Sequence, residues 1–250
     1  MLMKKRILAV AIVMLAIATS ARAAEIKVLC TNGVRAVVDE LVPRFESASG
    51  DKVVIQFEPS TQLKKRIDAG EPFDLVIMTT TLIDDEIKAG KLSADSRTFI
   101  ARSGLGMSIR SGAKKPNIST VNGFKNALLN AESITYATQG ASAAPFEVLV
   151  AKLGITSQLR PKYNLRPTAA EVGEAVSSGI VEIGIAPVSE ILPVRGVELV
   201  GPFPKEVQSY VEMTGAVSAN AKEKDEAKKL LAFITAPGNM PVFKMKGMER

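Results

Sequence analysis

The chain has 250 residues, 46% hydrophobic and 23% charged, with a formal net charge of +6 and no histidine. That length suits one large domain or two modest ones, each with a real core. The missing histidine excludes His-based triads, His-ligated zinc or haem, and the commonest general base near neutral pH, so proton chemistry falls to a carboxylate, Lys, Tyr or Cys. Lys4, Lys5 and Arg6 precede an unbroken apolar run over residues 7–18, and Ala21-Arg22-Ala23 has the small-x-small form of a cleavage signal. The run falls short of the roughly 20 residues a spanning helix needs. Residues 1–23 therefore read as a signal peptide, and the remainder as a periplasmic protein. Loss of Lys4, Lys5, Arg6 and Arg22 with that leader lowers the formal charge from +6 to +2. Nothing then calls for a nucleic-acid partner.

Strands and helices alternate beyond the leader. Residues 25–30 read as a strand, and Val34, Val37, Val38, Leu41 and Phe45 recur at helical spacing over 34–47. Cys30, the single cysteine, can form no intramolecular disulfide and reads as a small buried hydrophobe. Residues 52–57 give a strand, and 62–69 a short helix with Ser60 and Thr61 as capping residues. Residues 73–78 form a buried-type strand, followed by a helix through Lys88 that Thr79–Thr81 can cap. The run Asp84-Asp85-Glu86 reads as the acidic first turn of that helix, not as a metal site, because adjacent helical residues diverge. Lys64-Lys65-Arg66 reads as an exposed helix face.

The second half repeats the theme. Strands are predicted over 105–110, 133–137, 181–185 and 207–217. Helices are predicted over 121–129, 145–153, 169–178, 222–234 and 240–246. Repeated βα units imply a largely parallel sheet between helices. Strand ends meet small or hydroxyl-bearing loops that open helices: Thr31-Asn32-Gly33, Ser60-Thr61 and residues 140–144. Ligands of open α/β sheets sit at such ends, and helix N-termini favour anions.

On these residues the chain resembles the periplasmic molybdate-binding protein family, within the type II solute-binding proteins of ABC importers. The resemblance is carried by EIKVLCTNGVRAVVDELVPRFE, VVIQF, STQLKKRIDAGEPFDLVIMTT, EVLVAKLGI, SSGIVEIGIAPVSEI and AKKLLAFITAPGNMPVFKMKGM, in that order across nearly the whole chain after the leader. It implies an α/β, two-lobed fold with hinge strands between lobes that close over a ligand. One lobe would comprise residues 24–103 plus 205–250, the other 104–204. It further implies a monomer without cofactor or metal, a small anionic ligand, and the membrane subunits of an ABC transporter as partners.

The family holds a tetrahedral oxyanion through neutral donors, and its positions fall here on Gly33 (a Ser in the family), Ser60, Ser142, Ala169 (a backbone donor) and Pro187 (a Tyr in the family). Two side-chain donors are missing, each worth roughly 1.5–3 kcal/mol toward a charged ligand. Pro187 lacks even an N–H. Beside the losses stand Asn32, Arg35, Thr61 and Arg166, and a guanidinium suits a carboxylate. The leading reading is a receptor for a small anion, a di- or tricarboxylate ahead of a molybdate-like oxyanion. The alternative is an isomerase of an unsaturated tricarboxylate, because the chain also resembles aconitate-isomerase-like relatives of that family. Its acid and base would come from Glu58, Glu147, Tyr136, Tyr210 or Lys64, and the sequence selects none of them.

Overall fold

The computed structural model describes residues 23–250; the expected signal peptide, residues 1–23, lies outside the described residues but for Ala23. The first strand, β1 (Glu25–Thr31), is followed by a turn, Asn32–Val34, and helix α1 (Arg35–Ser49). Val37, Val38, Leu41, Val42 and Phe45 make one buried stripe on α1. Gly50 ends the helix at φ +81°, a left-handed conformation that glycine adopts without penalty, and its N–H returns to Glu46 O. Then come β2 (Lys52–Glu58), α2 (Ser60–Asp68), β3 (Leu75–Thr79), α3 (Thr80–Lys88) and the long β4 (Thr98–Arg110). The chain continues through α4 (Val121–Asn130), β5 (Ile134–Tyr136), α5 (Ala143–Lys152), α6 (Thr156–Leu159) and α7 (Ala169–Ser177). It closes with β6 (Ile183–Pro187), α8 (Val188–Ile191), β7 (Val197–Pro202), β8 (Tyr210–Val217), α9 (Lys224–Ile234) and α10 (Met240–Met245).

The strands run in the order β2-β1-β3-β8-β4-β6-β5, with β7 on β4. β1 pairs in parallel with β2 and β3, and β5 with β6, but every pairing of β4 and β8 is antiparallel. The predicted largely parallel sheet is thus a mixed one, because β4 and β8 run against the βα units on either side. β4 also changes partner along its length. Thr98–Gly104 lie along β8, and Leu105–Ser108 along β6. One strand therefore stitches two sheet regions together, each covered by helices.

Burial follows from this layering. On β3 Leu75 and Ile77 enter the main core, while Val76 and Met78 enter a smaller cluster with Leu63, Ile67 and Ile83 under α2 and α3. Alternate side chains of a strand point to opposite faces, so a strand covered on both sides reads as continuously apolar. Cys30 is fully buried and unpaired, and burial pushes its thiol far up. Two local expectations are corrected. α2 starts at Ser60, with Pro59 in the capping position, so Ser60 and Thr61 belong to the helix rather than capping it. The Asp84-Asp85-Glu86 run falls in the later part of α3. There Asp84 meets Arg97 Nε at 2.7 Å, and buried Glu86 pairs with Lys64 and Lys91. Among the described residues no helix is long and apolar enough to cross a membrane.

Candidate functional site

The carboxyl ends of β1, β2 and β3 open onto one cavity of about 300 Å³. From this side it is lined by Thr31, Asn32, Gly33, Ser60, Thr61, Thr79 and Thr81. The facing wall carries Gln139, Gly140 and Ala141 after β5, Thr168 and Ala169 at the start of α7, and Glu190 of α8. Met213 and Val211 of β8 form the floor. Three nine-residue helices, α2, α3 and α7, thus begin at the wall. Their first N–H groups have no carbonyl within the helix, and their dipoles place partial positive charge there. The cavity is rich in hydroxyls and amides, and among the described residues Glu190 is its sole charged side chain.

Hydrogen bonds fix this wall. Ser60 Oγ donates to Thr31 Oγ1 at 3.1 Å and accepts the Thr79 N–H at 3.1 Å. A ligand that draws on Ser60 must take that hydroxyl proton from Thr31 or use the backbone N–H. Thr80 and Thr214 share a hydroxyl contact of 2.8 Å, tying α3 to β8. Thr168 and Glu171 form a reciprocal capping box, which holds the α7 start in place. Across the cavity Gln62 Nε2 donates to Gln139 Oε1 at 3.2 Å, and Ser189 Oγ donates to Gly33 O at 2.9 Å. The Ser189 N–H in turn donates to Ser103 Oγ of β4 at 3.1 Å.

Glu190 was not singled out from sequence. It stands between the first cavity and a second of about 280 Å³, which also takes in Asn32, Thr168 and Ala169. The residue is half-buried, and its carboxyl oxygens face these cavities. That burial alone raises its pKa from 4.5 to about 7. Among the described residues the carboxyl has no hydrogen-bond or ion-pair partner. A methyl group built on Gly33 would lie 3.7 Å from Glu190 Oε1 and would collide with Met213 Cε. Met213 therefore fills the volume that a side chain at Gly33 would need.

The residues marked from sequence divide into two groups. Asn32, Gly33, Ser60, Thr61 and Ala169 line the first cavity. Arg35 does not: it borders the second, largely exposed, with Nε 3.4 Å from Asp39 Oδ2 and its guanidinium 4.7 Å from the Phe57 ring centre. Ser142 is buried next to the lining residue Ala141 but is not part of the lining. Arg166 turns to its own loop, donating to Asn164 Oδ1 at 2.6 Å and Leu165 O at 3.0 Å. Pro187 is buried as the last residue of β6 and precedes α8. The acid and base candidates are all engaged elsewhere. Glu58 pairs with Arg66 at 3.1 Å, Tyr136 donates to Glu147 at 2.5 Å, Lys64 binds Glu86, and Tyr210 lies under Arg102.

A two-sided α/β architecture with a hydroxyl-rich, helix-capped cavity between sheet regions is the form of a solute-binding protein. The family model of bacterial extracellular solute-binding proteins matches residues 26–249, and the chain belongs to that family. It is 27% identical over 227 residues to an aconitate isomerase of a Pseudomonas species, covering 89% of this chain and 86% of that protein. It is 24% identical over 238 residues to the molybdate-binding protein ModA of Azotobacter vinelandii, covering 92% of each. In structure it is similar to the Azotobacter vinelandii periplasmic molybdate-binding protein, with a TM-score of 0.76, 17% identity, and coverage of 90% of this chain and 99% of that one.

Proposed function

We propose that the protein is a periplasmic receptor that binds a small di- or tricarboxylate in the cavity bordered by Ser60, Ala169 and Glu190 and delivers it to the membrane subunits of an ABC importer. In this reading residues 24–103 with 205–250 form one lobe, residues 104–204 the other, and β4 is one of the hinge strands. The carrying observation is the lining itself: hydroxyls, amides and three helix starts, with one carboxyl and no cation. Neutral donors and helix N-termini suit an anion. Gly33 and Pro187 withdraw two of the family's oxyanion donors, which weakens the case for molybdate. A volume of about 300 Å³ also exceeds what a five-atom oxyanion fills. At about 30 Å³ per water-sized group it has room on the order of ten such groups. Titration calorimetry of the mature protein with citrate, cis-aconitate, trans-aconitate and molybdate tests the reading. Binding of a carboxylate supports it, and binding of molybdate alone refutes it.

A second reading is favoured by Glu190. Shifting the double bond of an unsaturated tricarboxylate needs a group that removes a proton from one carbon and returns one to another. A cavity-facing carboxyl with a pKa of about 7 has the reactivity for both. Proton NMR of trans-aconitate incubated with the protein distinguishes the two readings. Appearance of the cis isomer would make the protein an enzyme, and an unchanged spectrum with a bound ligand would leave it a receptor.

A further inference from the structure

Glu190 poses an electrostatic problem for any anion site. It stands on α8, a helix of four residues, at the partition between two cavities. Its carboxyl has no partner among the described residues. The turn Asn32–Val34 and strand β6, both packed on α8, carry no titratable side chain. On β4, also packed on α8, Arg102 is held by Glu249 at 3.0 Å, and Arg110 lies beside Gly179. On β7 Glu198 pairs with Lys115 at 2.8 Å. On α7 Glu171 closes the cap on Thr168, while Glu174 is exposed, as is Glu212 of β8. The titratable residues of α1 that border the second cavity, Arg35 and Asp39, pair with each other. Among the described residues no cation pairs with Glu190, and a ligand carboxylate entering the cavity would meet a second carboxylate.

One proton removes the conflict. Two carboxylates that share a proton form a short O–H···O⁻ hydrogen bond, stronger than one between neutral groups. The remaining negative charge lies toward the helix starts of α2, α3 and α7, where it is favoured. We propose that Glu190 binds a ligand carboxylate through one shared proton, so that anion and proton are taken up together. The proton comes from solvent when Glu190 is ionised, or from the ligand when its last carboxyl is still protonated. No bond other than O–H changes. The inference rests on the carboxylate reading of the site and names the residue and the charge state by which that site takes its ligand.

Calorimetry with citrate between pH 5.5 and 8.5, repeated in buffers of different ionisation enthalpy, counts the protons taken up. The ligand's own uptake is measured separately and subtracted. The expected result is close to one proton per ligand above pH 7, with affinity falling about tenfold per pH unit there, and little uptake below pH 6, where Glu190 already carries its proton. Glu190→Gln keeps an N–H donor but cannot titrate. Its citrate affinity should lack the wild-type fall above pH 7. Binding without proton uptake by the wild type, or an unchanged slope in Glu190→Gln, overturns the inference while leaving the carboxylate reading intact. Absence of citrate and aconitate binding at every pH removes both. The buffer comparison uses the wild-type protein and stands even where the variant folds poorly.

Discussion

In the ligand-free protein Glu190→Gln should be stabilising at alkaline pH and close to neutral in effect at acid pH. An ionised carboxyl that is partly desolvated and lacks a partner loses hydration without compensation. The gap between its ordinary value of 4.5 and about 7 corresponds to at most on the order of 3 kcal/mol, an upper bound because the carboxyl oxygens face open cavities. Because the folded-state value is raised, wild-type stability from this group is fully present below about 4.5. It is lost as pH rises through about 7 and is constant above. Gln carries no such loss. For a chain of this size about 3 kcal/mol amounts to roughly 6–12 °C in melting temperature. Urea denaturation followed by circular dichroism at pH 5, 6, 7 and 8.5, on wild type and variant side by side, measures the difference directly. Other titrating groups cancel in that difference. An offset between the two proteins that is the same at pH 5 and 8.5 would refute the desolvation of Glu190.

Three other substitutions test the surrounding account. Asp74, buried between β3 and the α9 start, accepts the N–H groups of Lys27, Lys222 and Glu223 at 2.8–3.1 Å; Asp74→Ala leaves those donors unpaired and should cost about 3 kcal/mol or more in urea denaturation. Arg35→Ala removes an exposed contact with Asp39 and a stack on Phe57, so ligand affinity by calorimetry should change by less than about 1 kcal/mol. A larger loss would put the guanidinium on the ligand. Gly33→Ser must displace Met213 Cε and brings a hydroxyl toward Glu190; it should weaken citrate binding several-fold and, by restoring an oxyanion donor, strengthen molybdate binding relative to citrate.

The sequence signals were strongest where burial is periodic. The stripe of α1 and the apolar runs of β1 and β3 reflect layers covered on known faces, so their patterns survive without knowledge of the partner. Strand direction left no such mark: β8 is antiparallel because of where β4 returns the chain, a property of topology rather than of its own residues. β7, Val-Glu-Leu-Val-Gly-Pro, is half-exposed along nearly its whole length and shows neither alternation nor a continuous apolar run. At the site, Asn32, Gly33, Ser60, Thr61 and Ala169 were legible because each follows a strand or opens a helix. Arg35 opens α1 after the turn Asn32–Val34 and borders the second cavity, where it meets Asp39 and Phe57. Glu190 was overlooked although its signal was present. It is a lone acid between Ser189 and Ile191, just beyond a fully buried strand, and that burial makes its charge consequential.

The most direct measurement of the central claim is a thermal-shift comparison of the mature protein with citrate, cis-aconitate, trans-aconitate, molybdate, tungstate and sulfate at pH 6.5. A ligand at a hundred times its Kd stabilises by about 2.7 kcal/mol, which is roughly 5–10 °C here. The account predicts a shift of that size with at least one tricarboxylate and none with the tetrahedral oxyanions. A shift with molybdate or tungstate and none with the carboxylates would contradict it.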